Sequence, residues 1–208
     1  MGSILVCFAL KEEAVPFRKL VAGRNDVIVL ITGIGRANSE RAVRESLKSC
    51  SPRCVLTCGF AGGLDPKLQT GEVIFTSTDA GLAGALSKSG ARPATFACVD
   101  RIATTALEKQ TLRTRTQADA VEMESEVIHA VCHECQIPCA TVRAISDPAP
   151  EDLPLDFNQL SNPDQSLNFG KLALAIAKAP GKIPALLHLQ TKTKLAATNL
   201  AHVLLRIL

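Results

Sequence analysis

Thr141-Val-Arg-Ala-Ile-Ser-Asp-Pro148 decides how this chain folds. Taken with Cys139 and Ala140 ahead of it, the run from Cys139 to Ile145 reads as a buried strand. The strand delivers Ser146 and Asp147 at its carboxyl end, and Pro148 bars helical continuation through Asp147. In an open α/β sheet, ligands bind at the carboxyl ends of strands. Upstream stands Ala118-Asp-Ala-Val-Glu-Met-Glu-Ser125. Its crowd of acids predicts a helix start, because a helix N-terminus favours negative charge. Met123, Val127, Ala130 and Val131 then recur at helical spacing and are expected to face a core.

Strand and helix patterns alternate outward from this point, which predicts an α/β fold with a largely parallel sheet. Ile4 to Leu10 is an apolar strand, and Lys11-Glu-Glu-Ala-Val-Pro16 opens a helix after it. Val27 to Thr32 is a second strand, ending in Gly33-Ile-Gly-Arg36, with helical spacing over Asn38 to Leu47. Cys54 to Cys58 is a third, running into a glycine-rich binding loop, Gly59-Phe-Ala-Gly-Gly63, and Gly71 to Thr76 is a fourth. Asp79 to Arg101 reads as a loop-like or short-helical connection, and Thr104 to Arg113 as a helix. Pro148 to Gln165 is rich in Pro, Asp and Asn and reads as a long loop. From residue 166 to 208 the chain is helical and basic, broken at Ala179-Pro180-Gly181.

Composition narrows the function. The chain has 208 residues, 47% hydrophobic and 21% charged, and fits one domain with a sizeable core. With no Trp, no Tyr and a net charge of +3, neither stacking platforms nor a basic surface for nucleic acid is expected. No secretory signal and no membrane-spanning run is read, so a cytoplasmic location is expected. The eight cysteines mostly fall in apolar patterns and read as buried thiols. Cys132-His-Glu-Cys135 has zinc-like spacing without a second half, so no metal is expected.

The chemistry-bearing candidates sit at strand-to-helix junctions. Gly33-Ile-Gly-Arg-Ala-Asn38 lacks the third glycine of a dinucleotide fingerprint and reads as a tight turn. Taken singly, the pair Glu12 and Glu13, of which one would have to turn inward, and Glu124 and Asp147 are helix caps and turn formers. Taken together, three carboxylates near the junctions of one sheet point to a site.

These motifs resemble the nucleoside phosphorylase and nucleosidase superfamily, in the pattern of the methylthioadenosine/S-adenosylhomocysteine nucleosidases. The resemblance rests on Ala9-Leu-Lys-Glu-Glu-Ala14, Thr32-Gly-Ile-Gly-Arg36, Thr57-Cys-Gly-Phe-Ala-Gly-Gly-Leu-Asp65, Val121-Glu-Met-Glu-Ser125 and Val142-Arg-Ala-Ile-Ser-Asp147. It implies a single-domain, three-layer phosphorylase/hydrolase-like fold with a mixed, largely parallel central sheet flanked by helices. It implies that Glu13 orients the attacking nucleophile and that Glu124 binds the ribose hydroxyls, with Met123 against the sugar. Asp147 is then the acid at N7 of the purine, and Phe60, Ala61, Gly62 and Ser146 complete the substrate site. Phe60 stands where the family commonly has serine. The phosphate ligands of the hexameric phosphorylases fall at Thr57 and Phe60, which favours hydrolysis over phosphorolysis. Gly35 and Arg36 remain as an anion contact should phosphate be a co-substrate, and no other cofactor is expected.

The middle and the tail Pro180-Gly-Lys-Ile-Pro-Ala-Leu-Leu-His-Leu189 resemble the hopanoid-associated phosphorylase subfamily, which implies a bulky 5′ substituent such as that of adenosylhopane. The partners implied are a small-molecule nucleoside, lipid-linked in that subfamily, and a second copy of the chain in a homodimer or larger assembly. The basic apolar tail (Lys178, Lys182, Lys192, Lys194 and Arg206 among leucines) is either a helix packed on the body or a contact with a membrane surface.

Overall fold

The structure, a computed structural model, describes residues 2–160, 162 and 168–208. Its centre is an eight-stranded sheet whose main path runs β2 (Val27–Ile31), β1 (Ile4–Phe8), β3 (Cys54–Gly63), β8 (Cys139–Asp147), β4 (Val73–Ser77) and β5 (Arg92–Pro93). β7 (Ala120–Glu122) joins off this path along the end of β3 and carries β6 (Phe96–Cys98). The central pairs are parallel, whereas β4 runs antiparallel to β8 and β7 antiparallel to β3. The sheet is therefore mixed and largely parallel.

Alternation along β1 shows why three layers form. Ile4, Val6 and Phe8 point to one face, where Phe17 and the C-terminal helix complete a core. Leu5 and Cys7 point to the other, against Val43, Ile128 and Val131. A strand buried on both faces must be apolar throughout, and all five residues of β1 are buried. The first face is covered by α1 (Lys11–Leu20) and α7 (Ile183–Arg206), the second by α2 (Arg36–Leu47) and α5 (Ser125–Glu134). α3 (Ala80–Lys88) and α4 (Ala106–Thr116) flank the far half, and α6 (Phe169–Lys178) precedes α7.

Four expectations are corrected. The acid-rich stretch from Ala118 opens as strand β7, and its helix begins only at Ser125. The backbone of Ala120 and Val121 is committed to β3, Glu122 and Glu124 are paired with a buried cation described below instead of with a helix dipole, and Asp119 pairs with Arg113. On α5 the buried side is Ile128, Val131 and Cys132, while Ala130 is exposed and Met123 and Val127 are half-buried. Gly59 to Gly63 is the end of β3, laddered to β8 and β7, and no loop. The Asp79–Arg101 connection holds α3, β5 and β6.

The long segment after Pro148 carries no helix or strand through Leu160, and the rest of that expected loop lies largely outside the described residues, as do residues 166 and 167 at the head of the tail. The tail itself divides. Ala196, Ala197, Leu200, Ala201, Val203 and Leu204 of α7 are buried in the core, while Leu174, Ile183 and Leu187 are exposed. Among the described residues, no single helix is long and apolar enough to cross a membrane.

Candidate active site

The site forms where β3, β8 and β7 end beside the start of α1. Glu12 is exposed and Glu13 is buried, which separates the two acids that the sequence left paired. Glu13 sits in the first turn of α1, where one of its carboxylate oxygens accepts from the amide of Leu10 at 2.9 Å. The other oxygen accepts from the amide of Phe60 on β3, also at 2.9 Å. Helix start and strand thus hold the same carboxylate. Burial pushes the Glu13 carboxyl up to about 7, against the pull of Arg143 and the two amides.

Arg143 lies in the middle of β8 with its side chain 1% exposed. One terminal nitrogen, Nη2, is 2.5 Å from Glu122 and 3.2 Å from Glu124, and Nη1 donates to the Cys58 carbonyl at 3.1 Å. Burial opposes ionisation of Glu122, but the Arg143 cation, the Ser125 hydroxyl and the amides of Glu124 and Ser125 outweigh it and hold that carboxyl below its usual range. Glu124 is raised instead, because burial outweighs Arg143 and Glu122 adds a like charge. The Glu124 carboxylate is also fixed by the Gly35 amide at 3.0 Å.

Gly59 explains how these groups fit around one strand. It has φ +147°, and a Cβ there would stand 2.7 Å from Arg143 Nη1 and 2.8 Å from Glu13 Oε1. No side chain can occupy that position without displacing the charged groups.

Asp147 ends β8 opposite Gly62, after a register shift that leaves Ser146 as the extra residue. Such bulges re-aim side chains at sheet ends. Here Ser146 Oγ lies 2.5 Å from one Asp147 oxygen, and the ammonium of Lys109, reaching from α4, lies 2.5 Å from the other. Burial raises the Asp147 carboxyl, partly offset by Lys109 and Ser146.

The structure therefore brings Glu13, Phe60, Glu124, Ser146 and Asp147 together along the ends of β3 and β8. Gly62 lies against Asp147, Ala61 is buried behind it, and half-buried Met123 precedes Glu124. Gly35 and Arg36, expected as an anion contact, are otherwise engaged. The Gly35 amide holds Glu124, and Arg36 pairs with Glu126 at 2.6 Å and Asp100 at 2.9 Å. Sequence reading missed Glu122, Arg143 and Lys109. A charged residue inside the apolar run of β8 was a signal for Arg143, since an interior strand does not carry arginine without a partner. Among the described residues, no cluster of His, Cys, Asp and Glu could hold a metal ion.

A cluster of buried carboxylates around one arginine, on a mixed sheet of this order, accords with comparisons to known proteins. The family model of the phosphorylase superfamily matches residues 11–97 and 82–178. The chain belongs to the phosphorylase superfamily. Within that superfamily it is 26% identical over 180 residues to the 5′-methylthioadenosine/S-adenosylhomocysteine nucleosidase of Shewanella sediminis, covering 68% of this chain and 78% of that one. The nucleosidase of Anoxybacillus flavithermus is 25% identical over 209 residues, covering 76% and 90%. Among solved structures, the futalosine hydrolase of Helicobacter pylori aligns with a TM-score of 0.75 at 17% identity, covering 99% of this chain and 97% of that one. The 5′-methylthioadenosine/S-adenosylhomocysteine nucleosidase of Helicobacter pylori, bound to butyl-thio-DADMe-Immucillin-A, aligns with a TM-score of 0.75 at 19% identity over 100% and 97%. These structures share the superfamily's fold with this chain.

Proposed function

We propose that this chain hydrolyses the N-glycosidic bond of an adenine nucleoside. The observation that carries the reading is the meeting of three buried carboxylates, Glu13, Glu124 and Asp147, all with carboxyl groups raised by burial, around the ends of β3 and β8. Breaking such a bond builds positive charge on the ribose and negative charge on the base. Carboxylates at the sugar stabilise the first, and an acid at N7 relieves the second. Glu13, held from both sides by amides and titrating near neutral pH, is placed to orient and deprotonate the attacking water. Glu124 takes the ribose hydroxyls and Asp147 serves N7, with Met123 against the sugar.

Water is preferred to phosphate because the cations beside the carboxylates are already engaged. Arg143 is held by Glu122 and Glu124, Arg36 by Glu126 and Asp100, and Lys109 by Asp147. Adenine release is measured with and without phosphate. Equal rates support hydrolysis, and an enzyme silent without phosphate overturns it.

For the 5′ substituent, a bulky apolar group as in adenosylhopane, and so a role in hopanoid biosynthesis, is favoured by the exposed apolar side chains Leu174, Ile183 and Leu187 beside Lys178 and Lys182. The relatives named above favour a second reading, a small 5′-thio group as in methylthioadenosine. Turnover of nucleosides with small and lipid 5′ groups separates the two readings.

A further inference from the structure

Lys109 is the one lysine whose side chain is sealed from solvent next to the proposed acid. Its side chain is 0% exposed, and its three ammonium protons have three acceptors. Asp147 Oδ2 lies at 2.5 Å, the Pro148 carbonyl at 3.0 Å and the Glu151 carbonyl at 2.8 Å. Neither carbonyl belongs to a helix or strand, and both lie in the segment that follows β8. The chain therefore turns after Asp147 so as to place two backbone acceptors on this one nitrogen.

That set of partners suits both protonation states of the lysine. An ammonium donates three hydrogen bonds, to Asp147 and to the two carbonyls. A neutral amine still donates two, enough for the carbonyls, and offers its lone pair to a protonated Asp147. No buried group is left unsatisfied with the proton on either member of the pair, and the amine beside an ionised Asp147 that follows transfer to the base is the state that draws a proton back in. A lysine serving only as a counter-ion has no need of such neutrality.

We infer that Lys109 is the proton reservoir behind Asp147, a positioning residue that passes a proton to the departing base through that carboxylate. The inference rests on the adenine-nucleoside reading above. As the C1′–N9 bond breaks, its electron pair goes to the purine. Lys109 Nζ gives a proton to Asp147 Oδ2, which hands it to N7, so the base leaves neutral. Asp147 ends as the carboxylate it began as, and Lys109 ends as a neutral amine. Water adds to C1′ and loses a proton to Glu13 and then to solvent, and once the base has left, solvent returns a proton to Lys109 through the Asp147 carboxylate, whose side chain is 10% exposed. Protons and charge balance over the cycle.

The other groups around the pair do not compete for this proton. Ser146 donates to the second Asp147 oxygen. The Glu151 carboxylate turns away to the Lys192 ammonium of α7, and Asp152 accepts from the Ala106 amide at the start of α4. Glu108, next to Lys109, is taken by Thr104, Thr105 and Arg101. Val121 and Gly62 close the remaining side without titratable groups, and a Cβ on Gly62 would stand 3.3 Å from Asp147 Oδ2.

The test compares two leaving groups in the full-length enzyme. Adenine needs a proton to leave, whereas nitrophenolate from a nitrophenyl riboside does not. In Lys109→Met, kcat on the adenine nucleoside is expected to fall about 100-fold, in the range typical of a lost general acid, while kcat on the aryl riboside falls no more than about threefold. Lys109→Arg keeps the cation but cannot release a proton, and it should show the same selective loss with KM nearly unchanged. Equal losses on both substrates would mean a structural role and overturn the proposal, and so would full adenine release by Lys109→Arg. Should neither variant fold, a proton inventory of kcat in mixed light and heavy water decides for the wild type. Two more protons in flight with the adenine nucleoside than with the aryl riboside are expected, and a single extra proton overturns the idea. A wild type inactive on adenine nucleosides refutes the functional reading instead, while an active wild type with unaltered variants refutes only the reservoir.

Discussion

Arg143 Nη2 lies 2.5 Å from the Glu122 carboxylate, and both side chains are closed to solvent. The pair is the electrostatic centre of the sheet's ligand end, because the same guanidinium nitrogen also serves Glu124. A buried pair adds little net stability over an apolar replacement, yet removing one partner strands the other. Arg143→Met is therefore expected to cost about 3–5 kcal/mol in urea unfolding. Adding Glu122→Met should recover part of that loss, and a single variant as stable as wild type contradicts the account.

Gly59, having no side chain, lets Glu13 and Arg143 close in over its backbone. Gly59→Ala should lower stability by about 1–3 kcal/mol, the scale of a strained backbone position, and should reduce kcat more than it raises KM because the two charged groups must part. Calorimetry and steady-state kinetics on the variant check both.

Glu13 gives a pH signature to the ligand-free protein. Its carboxyl is raised in the fold from 4.5 to about 7, so folding favours the protonated form. The associated stability is complete below the unfolded value and is lost as pH rises through about 7. At about 1.4 kcal/mol per unit, the loss is roughly 3 kcal/mol. Thermal unfolding followed between pH 4.5 and 8 should show this decline, and Glu13→Gln should make it shallower, leaving the part that comes from the raised carboxyls of Glu124 and Asp147.

The exposed apolar side chains of the tail predict binding to lipid surfaces. Deleting the whole tail is the wrong test, since the second half of α7 is core. Leu174→Ser with Leu187→Ser leaves that core intact. The double variant should lose flotation with anionic vesicles while keeping its melting temperature, and equal flotation of both proteins refutes membrane contact.

Reading the sequence located the parallel strands because residues buried on both faces form continuous apolar runs, as Ile4–Phe8 and Cys139–Ile145 do. Acids at strand ends stand out from such runs, which drew attention to Glu124, Asp147 and the pair Glu12 and Glu13, and only the family resemblance chose Glu13 from that pair. It misread the stretch from Ala118, since a helix start and a short strand carrying buried acids look alike until the counter-charge is known. That charge, Arg143, lies 21 positions away from Glu122. Lys109 was out of reach for a related reason. On α4 it sits between Glu108 and Gln110, and nothing local distinguishes it from the exposed polar residues around it. The glycine run after Cys58 looked like a loop because glycine marks turns more often than strands. Here it serves close approach.

That glycine run has a consequence for how the enzyme can diversify. Gly62 and Gly63 are laddered to Val121 and Ala120, and β3 is laddered to β8 along its length up to Asp147. Under the proposed function, the floor beneath the substrate is sheet backbone, fixed by its ladders and not by what hangs from the sugar's 5′ carbon. Variation is left to the residues beyond Glu151, whose carbonyl and that of Pro148 hold Lys109, and to the exposed start of the tail. Exchanging those parts is a route to new substrates that leaves the bond-breaking residues, and the free energy of assembling them, untouched.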